Sequence, residues 1–118
     1  MTDAQTVLDR VTRVTRVPGV RGALVASALD GLVVAEQLMD GVDGRAAAAL
    51  AGSLVGRLVR TAVVAGRQAP AFVQLRAERG SILAAPCPDD LVLIAVVGPD
   101  ANVGLARLEM LDAASRLA

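Results

Sequence analysis

The chain has no histidine, lysine, tyrosine or tryptophan, and only one phenylalanine. Each absence removes a chemistry. Without an imidazole or a side-chain amine, the serine and threonine hydroxyls have no general base, and neither a Schiff base nor a phosphate-binding lysine can form. Phe72 alone cannot build the stacked aromatic platform that holds single-stranded nucleic acid. A lone cysteine, Cys87, permits no internal disulfide and no multi-cysteine metal site; between Pro86 and Pro88 it reads as a small hydrophobe. No catalytic residue, metal or cofactor is expected. The longest uncharged run, residues 46–56, falls short of the roughly 20 apolar residues of a spanning helix, so no membrane insertion is expected. No basic segment leads into an apolar run at the N-terminus, so no signal peptide is visible and the cytoplasm is the expected compartment. With twelve arginines against twelve acids the net charge is zero, which removes general attraction to nucleic acid.

What is present is aliphatic. Hydrophobic residues make up 54% of the 118, nearly all of them Ala, Val, Leu or Ile. That suffices for a core and suits one domain over residues 1–118. Thr2 and Gln5 have capping-box spacing, and Val7, Val11 and Val14 follow at helical intervals, predicting an amphipathic first helix. Pro18-Gly19 then suits a type II turn. Residues 21–28 and 32–38 read as strands joined at Asp30-Gly31, a hairpin signal. A second helix runs from about Arg45 to Ala65, closed by Gly66. Three strands follow, over residues 70–77, 81–85 and 91–97, and a last helix capped by Asp100 or Asn102 reaches Leu117. The order is α-β-β-α-β-β-β-α.

Residues 91–97 are apolar on both faces, which calls for helices on both sides of the sheet. Val73 and Leu75 alternate with Gln74 and Arg76, and Pro70 favours an edge; Glu36-Gln37 suits the opposite edge. An antiparallel α+β sandwich with its edges at the second and third strands follows.

On a helical wheel of the middle helix, Ala47, Leu50, Ala51, Gly52, Leu54, Val55, Leu58, Val59 and Ala62 cover about 200°, twice the stripe of roughly 100° that one sheet buries. The surplus predicts self-association. Ala48, Gly52 and Gly56, four residues apart, allow close backbone approach, either to a second copy or to the chain's own sheet. The expected dimer contacts are Ala48, Gly52, Leu54, Val55, Gly56 and Val59, with Val73 and Leu75 at the sheet edge. The remaining arc is basic: no acid occurs between Asp43 and Glu78, and net charge runs −2, +5 and −3 over residues 1–43, 44–77 and 78–118. Arg57, Arg60 and Arg67 form either a solvated face or a docking strip for an acidic protein surface.

Other features read as structural. Gly41-Val42-Asp43-Gly44 lacks the Gly-Lys-Ser/Thr end of a phosphate loop and reads as a turn and cap. Asp89-Asp90 reads as a solvated turn. Arg107, among the buried positions of the last helix, reads as a snorkelling or salt-bridged side chain, or as one that reaches a partner's nucleotide site.

Four segments resemble the Roadblock/dynein light chain domain family. They are Val17-Pro18-Gly19-Val20-Arg21-Gly22-Ala23 after a first helix, Asp30-Gly31-Leu32-Val33-Val34-Ala35 in a hairpin, the Ala-rich stretch 46–64, and Asn102-Val103-Gly104-Leu105-Ala106-Arg107 leading into the last helix. The resemblance implies a five-stranded antiparallel sheet with one long helix on one face and two shorter helices on the other. It implies a homodimer in which the long helices pair and the sheets join. It further implies a regulator like the bacterial MglB-like members, whose partner is a Ras-like small GTPase, sometimes alongside a sensor kinase, and which supply no catalytic residue. The lysine-free, Ala/Val/Arg-rich composition suits a GC-rich bacterium. Two other readings stand beside this one: a small-molecule sensory domain of PAS or profilin-like type, which needs a roomy polar-lined pocket, and a dimeric scaffold without effect on nucleotide turnover.

Overall fold

The computed structural model describes residues 4–117, so the expected Thr2 cap lies outside the described residues. The elements are α1 Ala4–Thr15, β1 Val20–Ser27, β2 Val33–Leu38, α2 Gly44–Val64, β3 Val73–Ala77, β4 Gly80–Cys87, β5 Leu91–Val97 and α3 Val103–Ser115. The sheet is antiparallel throughout, in the order β2-β1-β5-β4-β3, with β2 and β3 at the edges as expected. α1 and α3 cover one face and α2 the other.

Local signals explain most boundaries. The Val20 N–H donates to the Val17 carbonyl, and Gly19 has φ +90°, which closes the expected turn. Asp30 Oδ1 accepts from the Leu32 N–H at the hairpin. Asp43 and Asn102 cap α2 and α3, accepting from the Ala46 and Leu105 N–H groups at 3.0 Å each. At the end of α2 the Arg67 N–H donates to the Ala62 carbonyl and the Gly66 N–H to that of Val63, with Gly66 at φ +73°. This is a Schellman cap. Asp89 and Asp90 both adopt positive φ in the β4–β5 connection, a conformation Asp tolerates better than most residues.

Each face of the sheet has its own core. Val7, Val11 and Val14 of α1 meet Ala106, Met110, Ala113 and Ala114 of α3 over Val25, Leu83, Leu93 and Ala95. On the opposite face Ala47, Ala48, Ala51 and Val55 lie on Leu24, Ala26, Val92 and Ile94. Both faces of β5 are thus buried.

Three local expectations change. β4 continues through Pro86, which pairs with Val92. β3 reaches only as far as Val73 opposite Ala84, so beyond that point one side of β4 is free and a missing N–H is tolerated. β3 itself starts at Val73 rather than Pro70. By length and composition α2 is apolar enough to cross a bilayer, which the count of uncharged residues did not indicate; in this fold it is seated on the sheet, a third of its most apolar stretch buried.

Cys87 is half-buried, its Sγ donating to the Ala85 carbonyl at 3.4 Å. Burial pushes the thiol up to about 11, against an ordinary 9.0, while a backbone hydrogen bond at Leu93 pulls weakly the other way. At pH 8 the folded chain should react with iodoacetamide about 100-fold more slowly than the unfolded chain, the ratio of their thiolate fractions. Because the folded value is raised, this contribution to stability is full below pH 9 and is lost as pH rises towards 11. Equal alkylation rates with and without denaturant would contradict the burial.

Candidate functional site

The middle of α2 departs from the ideal helix. Residues 48–52 form a π-helical turn between α-helical segments Gly44–Ala47 and Ser53–Val64. In a uniform α-helix, positions 44, 48, 52 and 56 would drift through roughly 120° from first to last. The wider turn absorbs that drift. Gly44, Ala48, Gly52 and Gly56 therefore stay aligned and buried on the sheet, alongside Ala47, Ala51 and Val55.

This alignment corrects part of the expected interface. A methyl group added at Gly52 would lie 3.5 Å from the Ser27 carbonyl, and one at Gly56 3.0 Å from that of Ala28. The small residues thus admit the end of β1. Ala48, Gly52, Val55 and Gly56 are covered within the chain and are not free to meet a second copy. Val59 is half-buried over the same end of the sheet.

Leu50, Leu54 and Leu58, spaced by four, follow one side of α2. Leu54 is half-buried, whereas Leu50 is 55% and Leu58 39% exposed. Beside Leu50 lies an apolar groove of about 310 Å³, floored by Leu75, Ile82 and Val96 and flanked by Arg76 and Arg79. It exists because α2 buries its core against β1 and β5, leaving the outer strands partly bare. Val73 and Leu75 point to this face, opposite Ala84 and Ile82, and are half-buried. Ile82 and Val96 were not singled out from sequence. Both lie in runs without apolar/polar alternation, so only the placement of α2 shows that they are left partly bare.

Arg57 and Arg60 stand on the solvent side of α2, three residues apart and so neighbours on the helix surface, with Arg67 just past its cap. Among the described residues the only ion pair is Arg116 Nε to Asp112 Oδ1 at 3.1 Å. The cations of the acid-free tract therefore have no acid partner among the described residues. Arg60 folds back one turn, its Nη1 3.2 Å from where a Gly56 methyl would stand.

Arg107 departs from the buried position and the salt bridge expected of it. It is exposed rather than buried, and its guanidinium lies 5.8 Å from the Phe72 ring centroid. The contact is a cation–π interaction, not a salt bridge. An open cleft of about 570 Å³ lies between the β3–β4 hairpin and the start of α3, lined by Gln74, Arg76, Glu78 and Ser81 among others. Among the described residues no three potential metal ligands come together. The arrangement offers surfaces for binding other molecules: an apolar groove beside a leucine row, and a strip of free guanidinium groups.

Known proteins match this architecture. The Roadblock/LC7 domain model matches residues 6–97, ending with β5. The Methanocaldococcus jannaschii "Uncharacterized protein MJ0714" is 30% identical, over 96% of this chain and 95% of that protein. Among solved structures, Myxococcus xanthus MglB superposes with TM-score 0.82 at 15% identity, covering 95% of this chain and 84% of that one. A Roadblock/LC7 domain from Streptomyces avermitilis gives 0.74 at 22% identity, covering 97% and 92%. Acanthamoeba castellanii profilin II gives 0.57 at 20% identity, covering 95% and 94%, a likeness of fold.

Proposed function

The chain belongs to the Roadblock/LC7 domain family, and from that premise we propose that it is a homodimeric regulatory module that binds a Ras-like small GTPase and modulates its nucleotide cycle or localisation. The observation that carries the reading is Leu50, more than half exposed beside a groove of its own chemical character. A second copy is the natural occupant. Its leucine row supplies apolar side chains for the groove, and its β3 edge can pair with this one, which otherwise leaves a row of unpaired backbone groups. Leu50, Leu54, Leu58, Val73 and Leu75 then form the contact. One of the structural relatives, MglB, is described in a tetrameric arrangement, so assembly through this fold has a precedent in that protein.

Arg57, Arg60 and Arg67 are the proposed partner surface. Guanidinium groups without internal acids are free to make bidentate contacts with carboxylates, which fix orientation as well as raising the association rate. With no histidine, lysine or tyrosine in the sequence to activate a hydroxyl, the module is read as shaping its partner's own catalytic groups or holding it in place.

The test uses a Ras-like GTPase encoded near this gene. The purified protein should sediment as a dimer, bind that GTPase and change its rate of nucleotide hydrolysis or exchange. Binding with unchanged turnover would leave localisation alone; a monomer without binding would remove the proposal. Reversing Arg57 and Arg60 to Glu should weaken the complex about tenfold or more, with the dimer intact, since charge reversal replaces attraction by repulsion.

A further inference from the structure

At the opposite end of the sheet from the groove, where β1 and β4 end and β5 begins, the surface beside Val55–Arg60 of α2 holds a second depression. It is a notch of about 130 Å³ whose walls are mainly apolar, from Leu29, Val55, Val59, Pro86 and Val92. None of its lining residues lines the groove. Gly56 forms part of its wall, where an added methyl would stand 3.0 Å from the Ala28 carbonyl and 3.2 Å from Arg60 Nη1. The volume equals the liquid share of about four water molecules, each about 30 Å³. It is well below the roughly 300–1,000 Å³ of small-molecule sites. A cofactor does not fit, whereas the four carbon atoms of one leucine side chain do.

The charge at the mouth selects the rest of the occupant. Arg60 arches over the notch with no acid partner among the described residues, and Arg57 stands one turn away on the exposed side. Asp90 forms part of the lining, and its backbone carbonyl accepts from the Ala28 N–H at 2.7 Å. A carboxylate therefore approaches from the α2 side, away from Asp90. We infer that this notch is an anchor socket for a partner segment carrying one branched aliphatic side chain flanked by carboxylates, the aliphatic group seated over Gly56 and a carboxylate on Arg60. The inference rests on the reading of the α2 arginines as a partner surface, and supplies the apolar half of that contact. Charge alone would leave the segment free to slide along the arginine strip; a single filled socket sets its register.

The test is an amide chemical-shift titration of the full chain with capped pentapeptides. Gly-Glu-Leu-Glu-Gly should bind in the millimolar range and shift the amides of Leu29, Gly56 and Val92. Changing its Leu to Ala should weaken binding about tenfold, as expected for a partly buried aliphatic group. The Lys-flanked peptide Gly-Lys-Leu-Lys-Gly should not bind. In the protein, Gly56→Ala fills the notch but presses on the Ala28 carbonyl. Leu29→Glu, at a side chain 72% exposed, therefore serves as the second variant, and both should abolish the leucine preference. No shift at millimolar peptide, or shifts centred elsewhere, would overturn the inference. Binding that ignores Leu against Ala but is lost in Arg60→Glu would overturn the socket while leaving the arginine surface standing. Loss of GTPase binding in Arg67→Glu, at a residue that does not line the notch, by contrast reports on the arginine surface alone.

Discussion

Replacing Leu50 with arginine should turn the proposed dimer into monomers at micromolar concentration. Burying a leucine side chain contributes about 2 kcal/mol, and a twofold interface counts each substitution twice. The loss is therefore about 4 kcal/mol, or roughly 1,000-fold in the dissociation constant. The new cation would also face Arg76 and Arg79, which flank the same groove. Because Leu50 is 55% exposed within one chain, the fold itself should change little, and thermal unfolding of the monomer should stay within about 0.5 kcal/mol. Val55→Ala provides the contrast. That side chain is buried inside the chain, so its loss should lower stability by about 1–2 kcal/mol without changing the sedimenting species at concentrations well above the dissociation constant. If Leu50→Arg sediments as the unaltered protein does, the groove is not where two copies meet.

The second large effect concerns the turn before β1. Gly19→Ala should destabilise the domain by about 3 kcal/mol. Part is the left-handed backbone, φ +90°, which costs a residue with a side chain on the order of 1–3 kcal/mol. The remainder is steric, because the added methyl would stand 2.5 Å from Ala101 Cα and 2.6 Å from its Cβ. Ala101 cannot retreat freely. It immediately precedes the Asn102 cap of α3, and its own N–H donates to the Gly98 carbonyl. The melting temperature should fall by about 10 °C, from the usual dependence for a domain of this size. Gly41→Ala is the control: Gly41 also has positive φ, but nothing lies within 4 Å of an added methyl, so only the conformational part should appear. Equal losses at the two sites would show that the contact with Ala101 contributes nothing.

These two cases divide the ways in which structure was written in the chain. Gly19 was legible as a turn residue because Pro-Gly encodes a local dihedral preference, which needs no distant partner. Its contact with Ala101, more than eighty positions away, is invisible to any local rule. Likewise Val7, Val11 and Val14 revealed the buried side of α1 because that helix is regular, and Asp43 and Asn102 revealed helix starts because a cap acts within three residues. The wheel applied to α2 could not say which part of its wide apolar arc meets the sheet; Ala48, Gly52, Val55 and Gly56 are the part buried within the chain, around a π-helical turn. Arg107 was placed among buried residues by the same kind of count; the position of Phe72 across the fold draws it out over a ring instead.

The amino-acid sequence by itself determined the order of elements, the antiparallel sheet with its two edges, the caps and turns, and the absence of any histidine, lysine or tyrosine side chain to act as catalyst. Those properties depend on dihedral preference, periodicity and composition, all of which act over a few residues. Tertiary structure alone decided which apolar residues of α2 are spent on the chain's own sheet and which remain exposed. That division depends on where a helix lies across five strands, and so on the packing of side chains that are neighbours in space and strangers in sequence.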